Sequence, residues 1–261
     1  MSNEPPQPDY KTLALGSGET IAYRHRPGSL PGILFLGGFM SDMSGTKATH
    51  LLDYGAASGR SVTTFDYLGH GLSSGAFESG TIGNWGNDAL AVFDQVTEGP
   101  QILVGSSMGG WIMLLLARAR PERIAGLVGI APAPDFTEAL IWDQLPPDQR
   151  DKLMAEGRLE QPSDYGEAPY IITRALIEEG RNHLQLHAPI PLSCPVRLLH
   201  GLEDRDVPYE GSLALADALE SSDVEVTLVK GGDHRLSSDG DLALLDVTLD
   251  RLLADGAPRR R

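Results

Sequence analysis

The chain contains a single cysteine, Cys194, in 261 residues. No disulfide can therefore form within it, and a reducing compartment is expected, read here as cytoplasmic. Basic residues are also scarce: 21 Lys and Arg stand against 36 Asp and Glu, a formal net charge of −15. That balance repels phosphate backbones and anionic bilayers, so nucleic acid is not an expected partner. No stretch of eighteen apolar residues occurs, which argues against stable membrane insertion. The start, MSNEPPQPDYK, lacks the charged-then-apolar pattern of a secretory signal and reads as a loose arm, and the basic end at 258–261 reads as a frayed tail. No repeat with a period of twenty to fifty residues recurs, which excludes a solenoid or propeller.

What is present is ordinary globular composition, 41% hydrophobic and 22% charged, enough for one sizeable core and a single domain over 1–261. Short apolar runs at 33–36, 62–65, 102–104, 124–130, 196–199 and 224–229 alternate with helical patterns near 46–58, 82–96, 108–120, 212–220 and 242–253. Such alternation predicts an α/β fold, a mostly parallel central sheet with helices on both faces. Segments 12–15 and 20–23 flank a Gly-Ser-Gly turn and read as an antiparallel hairpin at the sheet edge. From 132 to 191 no strand pattern appears, only helical pieces at 136–142, 148–155 and 171–179. An insertion at this point is expected to lie over the carboxyl edge of the sheet, where ligands bind in open α/β sheets, and so to form a helical cap.

Two G-x-S-x-G patterns compete for a nucleophile, one centred on Ser73 and one on Ser107. The pattern alone is weak, but a nucleophile elbow also needs a strand running in and a helix running out. QILVGSSMGGWIMLLLARA around Ser107 supplies both, whereas no helix former closely follows Ser73. Glycines two residues to either side of Ser107 remove the bulk that a tight, strained turn cannot hold. The helix that begins there presents free N–H groups to a developing oxyanion. A P-loop is excluded, because no Lys-Ser/Thr follows the glycines. Cys194 sits at a strand entrance and reads as a packed thiol, not as a nucleophile.

A serine nucleophile needs a base, and the base needs a carboxylate, in the chain order Ser, acid, His. Of seven histidines only His234 lies in a loop between the last apolar run and the last helix. His200 at a strand end and His70 in a turn read as satisfied structural histidines. His183 and His187, four apart, could pair on a helix as metal ligands, but no H-E-x-x-H glutamate lies between them and no metal is expected. The acid falls in HGLEDRDVP, where Asp204 is preferred and Asp206 is its rival. For the oxyanion hole the backbone N–H of Met108 is one donor. The second falls in LGGFMSDMSG, at Phe39, with Met40 as the alternative.

Together these residues resemble the α/β-hydrolase superfamily over nearly the whole chain. DYLGHGLS at 66–73 is similar to its structural D-x-x-G-H-G-x-S turn, Gly201-x-x-Asp204-x-x-Val207-Pro208 to its acid loop, and Gly232-Asp233-His234 to its histidine loop. Phe39 falls where the superfamily places its first oxyanion donor, although Gly37-Gly38 stands in place of the usual His-Gly, a change that a backbone donor survives. GFMSDMSGTKA, GTIGNW, EGPQILVGSSMGGW, GIAPAPDFTE and GDHRLS resemble a narrower group, that of the mitochondrial acyl-glucuronide esterase and palmitoyl-protein thioesterase. This resemblance implies hydrolysis of activated acyl bonds, in small-molecule esters or S-acylated peptides and proteins, without cofactor or metal. Acyl transfer or carbon–carbon bond hydrolysis on the same triad is the alternative, and a non-catalytic ligand-binding role is a third. A serine at the elbow disfavours an aspartate-nucleophile dehalogenase.

Overall fold

The computed structural model describes residues 9–161 and 170–255, so the amino-terminal arm up to residue 8 and the basic tail lie outside the described residues. Its strands are β1 (Lys11–Ala14), β2 (Thr20–Arg26), β3 (Ser29–Leu36), β4 (Arg60–Phe65), β5 (Gln101–Ser106), β6 (Ile124–Ile130), β7 (Arg158–Gln161), β8 (Tyr170–Thr173), β9 (Val196–Gly201) and β10 (Val224–Val229). The helices are α1 (Thr46–Ser58), α2 (Ile82–Val96), α3 (Met108–Ala119), α4 (Pro147–Glu156), α5 (Arg174–Gly180), α6 (Glu210–Ala218) and α7 (Asp239–Asp255). Eight strands form the main sheet in the order β1-β2-β4-β3-β5-β6-β9-β10. The first two pairings are antiparallel and the remaining five are parallel.

The central strands are apolar on both faces because both faces are covered. Ile33 and Phe35 of β3, and Ile102 and Val104 of β5, pack with Leu51 and Tyr54 of α1 and with Leu245, Leu249 and Leu252 of α7. Leu34, Leu36 and Leu103, one residue out of phase, pack on the opposite face with Trp85 and Phe93 of α2, with Trp111 of α3 and with Leu215 of α6. This is the period of two expected of strands buried between helical layers. β10, at the sheet edge, alternates half-buried and exposed residues over most of its length. Among the described residues no helix is long and apolar enough to cross a membrane.

The segment 132–191 departs from expectation. It contains an antiparallel strand pair, β7 with β8, where no strand was predicted. Each strand has only four residues, too few for a period of two to stand out. The helix expected over 171–179 is split: Tyr170–Thr173 is extended, and the Thr173 side chain accepts the Leu176 N–H, so α5 starts at Arg174. The helix expected over 136–142 is a π turn at Thr137–Ile141 followed by a 3-10 turn at Trp142–Gln144. Residues 162–169 of the segment lie outside the described residues. The described part has a small core of its own, Leu145, Leu153, Leu159, Ile172 and Ile177. It meets the sheet through Phe39, just beyond β3, whose ring lies edge-on to Phe136 at 5.7 Å and 6.1 Å from Tyr170.

Candidate active site

Ser107 joins β5 to α3 with φ 55° and ψ −120°, a conformation that L-residues rarely adopt. The surroundings hold it there. Its N–H donates to the Ile130 carbonyl at the end of β6, and its own carbonyl accepts from Gly110 and Ala133. A side chain on Gly109 would collide with the Leu36 carbonyl, and one on Gly105 with the Gly109 carbonyl, so the two flanking glycines are demanded by close approach. Ser107 is half-buried between fully buried neighbours.

His234 follows β10 on a loop that crosses the end of β9. Gly201 and Gly232 are in contact there, and a side chain on Gly201 would strike the Gly232 carbonyl. The Glu203 N–H donates to that same carbonyl at 2.9 Å, which ties the acid loop to the histidine loop. The His234 Nε2 stands 3.1 Å from Ser107 Oγ and its Nδ1 stands 2.8 Å from Asp204 Oδ2. A carboxylate oxygen accepts, so Nδ1 carries the proton and Nε2 offers its lone pair to the serine hydroxyl. Lys47 of α1 clamps this loop from below, donating from Nζ to the Arg235 carbonyl at 2.5 Å and to Ser237 Oγ at 3.3 Å. Burial lowers its amine to about 8, partly offset by Asp233.

The Asp204 side chain is fully buried. Burial by itself would raise its pKa, but hydrogen bonds from His200, His234 and the Val207 N–H override this and hold the carboxylate well below its usual range. Its Oδ1 accepts the Asp206 and Val207 N–H groups, both at 2.9 Å. Asp206 is exposed, with its carboxylate near the same imidazole. Asp204, Asp206 and His234 could be read as metal ligands, but His234 Nδ1 and both oxygens of Asp204 are engaged in these hydrogen bonds.

Met108 opens α3, so its N–H has no carbonyl within the helix to bind. In the loop after β3, the Gly38 carbonyl accepts from Ser41 Oγ at 2.8 Å, which turns the N–H of the same peptide, that of Phe39, the opposite way. This loop passes the serine closely: a side chain on Gly38 would begin 3.4 Å from the Ser107 Cβ. Met40, the alternative donor, has φ 57° and a side chain 44% exposed.

The competing residues are committed elsewhere. Ser73 Oγ donates to the Asp66 carbonyl and accepts the Ala22 N–H, a structural cross-link to β2. Asp66 accepts from Met43 and Leu72 and so knits the loop after β3 to the G-H-G turn. Burial pushes the Cys194 thiol up to about 11, so it stays protonated. His183 bonds Glu179 and lies in a 3-10 turn, and no helix carries both it and His187. Two contributors escaped the sequence reading. Asp135, at φ 61°, accepts the Gln185 and Leu186 N–H groups and closes the base of the inserted segment. His200, read as structural, contacts Asp204.

The mixed sheet with its serine turn after β5 and its histidine loop after β10 defines the class, an enzyme of the α/β-hydrolase superfamily. Residues 33–157 match the model of the serine aminopeptidase S33 hydrolase family. The human palmitoyl-protein thioesterase ABHD10, a mitochondrial protein, is 42% identical over 234 residues, covering 89% of this chain and 76% of that protein. Mouse α/β-hydrolase domain-containing protein 10 superposes with a TM-score of 0.88 at 41% identity, over 94% of this chain and 98% of that one. A putative hydrolase from Agrobacterium vitis does so equally, with a TM-score of 0.88 at 42% identity, over 93% and 97% of the two chains. The chain belongs to the ABHD10 family of α/β-hydrolases.

Proposed function

We propose that the protein cleaves carboxylic esters and thioesters through an acyl-enzyme. In this reading Ser107 is the nucleophile, His234 the general base and acid, Asp204 the orienting carboxylate, and the Phe39 and Met108 N–H groups form the oxyanion hole. The observation that carries the proposal is the continuous hydrogen-bonded chain from Ser107 Oγ through His234 to Asp204, at 3.1 and 2.8 Å. Ser107 Oγ attacks the acyl carbon as its proton passes to His234 Nε2, and the carbonyl oxygen becomes an oxyanion at the two N–H donors. The imidazolium then protonates the departing thiol or alcohol. Water repeats the sequence on the acyl-enzyme, releasing the acid and restoring the serine proton.

For substrate class, relatives named as palmitoyl-protein thioesterases and the cluster of aromatic rings packed around Phe39, beside the Ser107 turn, favour apolar acyl groups on S-acylated peptides or proteins. The described parts of the segment 132–191 then serve as a cap over the acyl chain. A net charge of −15 disfavours anionic leaving groups such as glucuronide or coenzyme A. The lone cysteine suits any reducing compartment, cytoplasmic or, as the mammalian relatives are named, mitochondrial.

Fluorophosphonate should label the wild type and leave Ser107→Ala unlabelled, with kcat lower by roughly 10³-fold or more. Each buried methylene contributes about 0.8 kcal/mol, so four added carbons should raise kcat/KM by roughly two orders of magnitude until the pocket fills. Measured over C2 to C16 chains, S-acyl peptides should match or exceed acyl-CoA. Activity that peaks at acetyl and declines with every added carbon refutes the long-acyl assignment.

A further inference from the structure

A second histidine lies against the triad carboxylate. His200 is the penultimate residue of β9, and its side chain is wholly buried, as is that of Asp204. Its Nε2 stands 3.1 Å from Asp204 Oδ2 and 2.9 Å from the Val207 carbonyl oxygen. Both of these atoms are acceptors, so Nε2 carries a proton and is shared between them. On the other side of the ring, Nδ1 lies 2.7 Å from the hydroxyl of Ser212, a fully buried residue of α6. The imidazole thus links α6 to Asp204 and Val207 of the acid loop.

The choice of oxygen matters. Backbone N–H groups already fix Oδ1 of Asp204 within its own loop. Oδ2 is the atom that orients His234, and among the described residues its other hydrogen-bond partner is His200. Without His200, the carboxylate plane could rotate about its Oδ1 anchor and take Oδ2 away from the His234 Nδ1–H. A histidine serving only to fill the core would need no bond to that oxygen, since the Val207 carbonyl and Ser212 would satisfy both ring nitrogens.

We infer that His200 is a positioning residue for the hydrolytic reaction, holding Asp204 Oδ2 against His234 through its Nε2–H. This rests on the triad assigned above. Small displacements of a group that aligns a base are costly, of the order of 10²-fold for about 1 Å.

The test uses a matched pair of variants in the full chain. Glutamine can place a side-chain N–H where histidine has Nε2, whereas asparagine reaches only the Nδ1 position and keeps the Ser212 partner. His200→Asn should lower kcat on a p-nitrophenyl ester by roughly 10- to 100-fold with little change in KM, and His200→Gln should recover most of the loss. The downfield proton resonance of His234 Nδ1–H should weaken or shift in His200→Asn and persist in His200→Gln. Equal kcat losses in the two variants, or a folded His200→Asn with wild-type kcat, would overturn the inference. Should His200→Asn not fold, nitrogen-15 shifts of the wild-type imidazole decide: a protonated His200 Nε2 whose signal moves in Asp204→Asn supports it, and an unprotonated Nε2 refutes it. Fluorophosphonate labelling of Ser107, run in parallel, separates the two levels. Intact labelling with an Asp204→Asn defect but no His200→Asn defect removes His200 alone, whereas failure to label Ser107 removes the triad and His200 with it.

Discussion

Asp204 and Asp206 stand two positions apart in one loop yet occupy opposite environments. The backbone turns between them so that the Asp206 N–H donates back to Asp204 Oδ1, which points the first carboxylate inward and the second outward. Such a buried, multiply bonded carboxylate stays ionised over the whole neutral range and can hold an imidazole in one tautomer. Asp204→Asn should therefore cut kcat by about 10²–10⁴-fold while fluorophosphonate still reacts slowly with Ser107. Asp206→Asn, at an exposed site, should stay near wild type in steady-state kinetics. A larger loss in Asp206→Asn than in Asp204→Asn would exchange their roles.

At the level of elements, the strands and helices around the sheet follow the apolar periodicity closely, and α1 and α2 span the residues expected of them. Strand–turn–helix order singles out Ser107 and chain order singles out His234, and the structure brings the two side chains within 3.1 Å of each other. Contacts that close over long separations were not legible. Asp135 receives N–H groups from residues fifty positions later, and nothing in GIAPAPDFTE announces that. The β7–β8 pair was equally hidden, since β7 and β8 gain their stability from one another and from the small core beneath them. The inserted segment is fastened at its base by Asp135, and α5 is fastened to α2 by Glu179, which accepts the Gly83 N–H at 3.0 Å. Trp111 adds a third tie, donating from its indole to the His183 carbonyl at 2.9 Å. Asp135→Ala should leave two N–H donors without their acceptor and put alanine at positive φ, costing about 1–3 kcal/mol in urea unfolding. An unfolding midpoint equal to that of the wild type would show that the base of the segment is held by packing alone.

For the whole molecule, the acid side of the stability curve should reflect His70. Enclosed by Tyr67, Phe77 and Trp85, it has its pKa lowered to about 4, chiefly by burial, with the Leu68 carbonyl working in the opposite sense. Its Nε2 is buried with no hydrogen-bond partner. Between pH 6.5 and 4 the unfolded chain takes up a proton that the folded chain refuses, so stability present above 6.5 is lost as the pH falls through 4. The loss is of the order of 3 kcal/mol. Asp88 has the opposite slope: burial raises its pKa to about 6, so its contribution is complete below the ordinary aspartate range and is lost as the pH rises through 6. His70→Phe should flatten the decline in Tm between pH 6.5 and 4 without altering it above pH 7. A decline as steep as that of the wild type would assign the acid sensitivity to the carboxylates.

The backbone at Ser107 carries one more consequence. A residue held at φ 55° and ψ −120° costs the fold about 1–3 kcal/mol, a cost that glycine largely escapes. Ser107→Gly should therefore melt at a higher temperature than the active protein while hydrolysing its substrates roughly 10³-fold or more slowly. If so, selection has kept this chain below its own thermal optimum for as long as its chemistry has mattered. A lineage that lost the chemistry would be free to drift towards a hardier, silent protein by changing one codon.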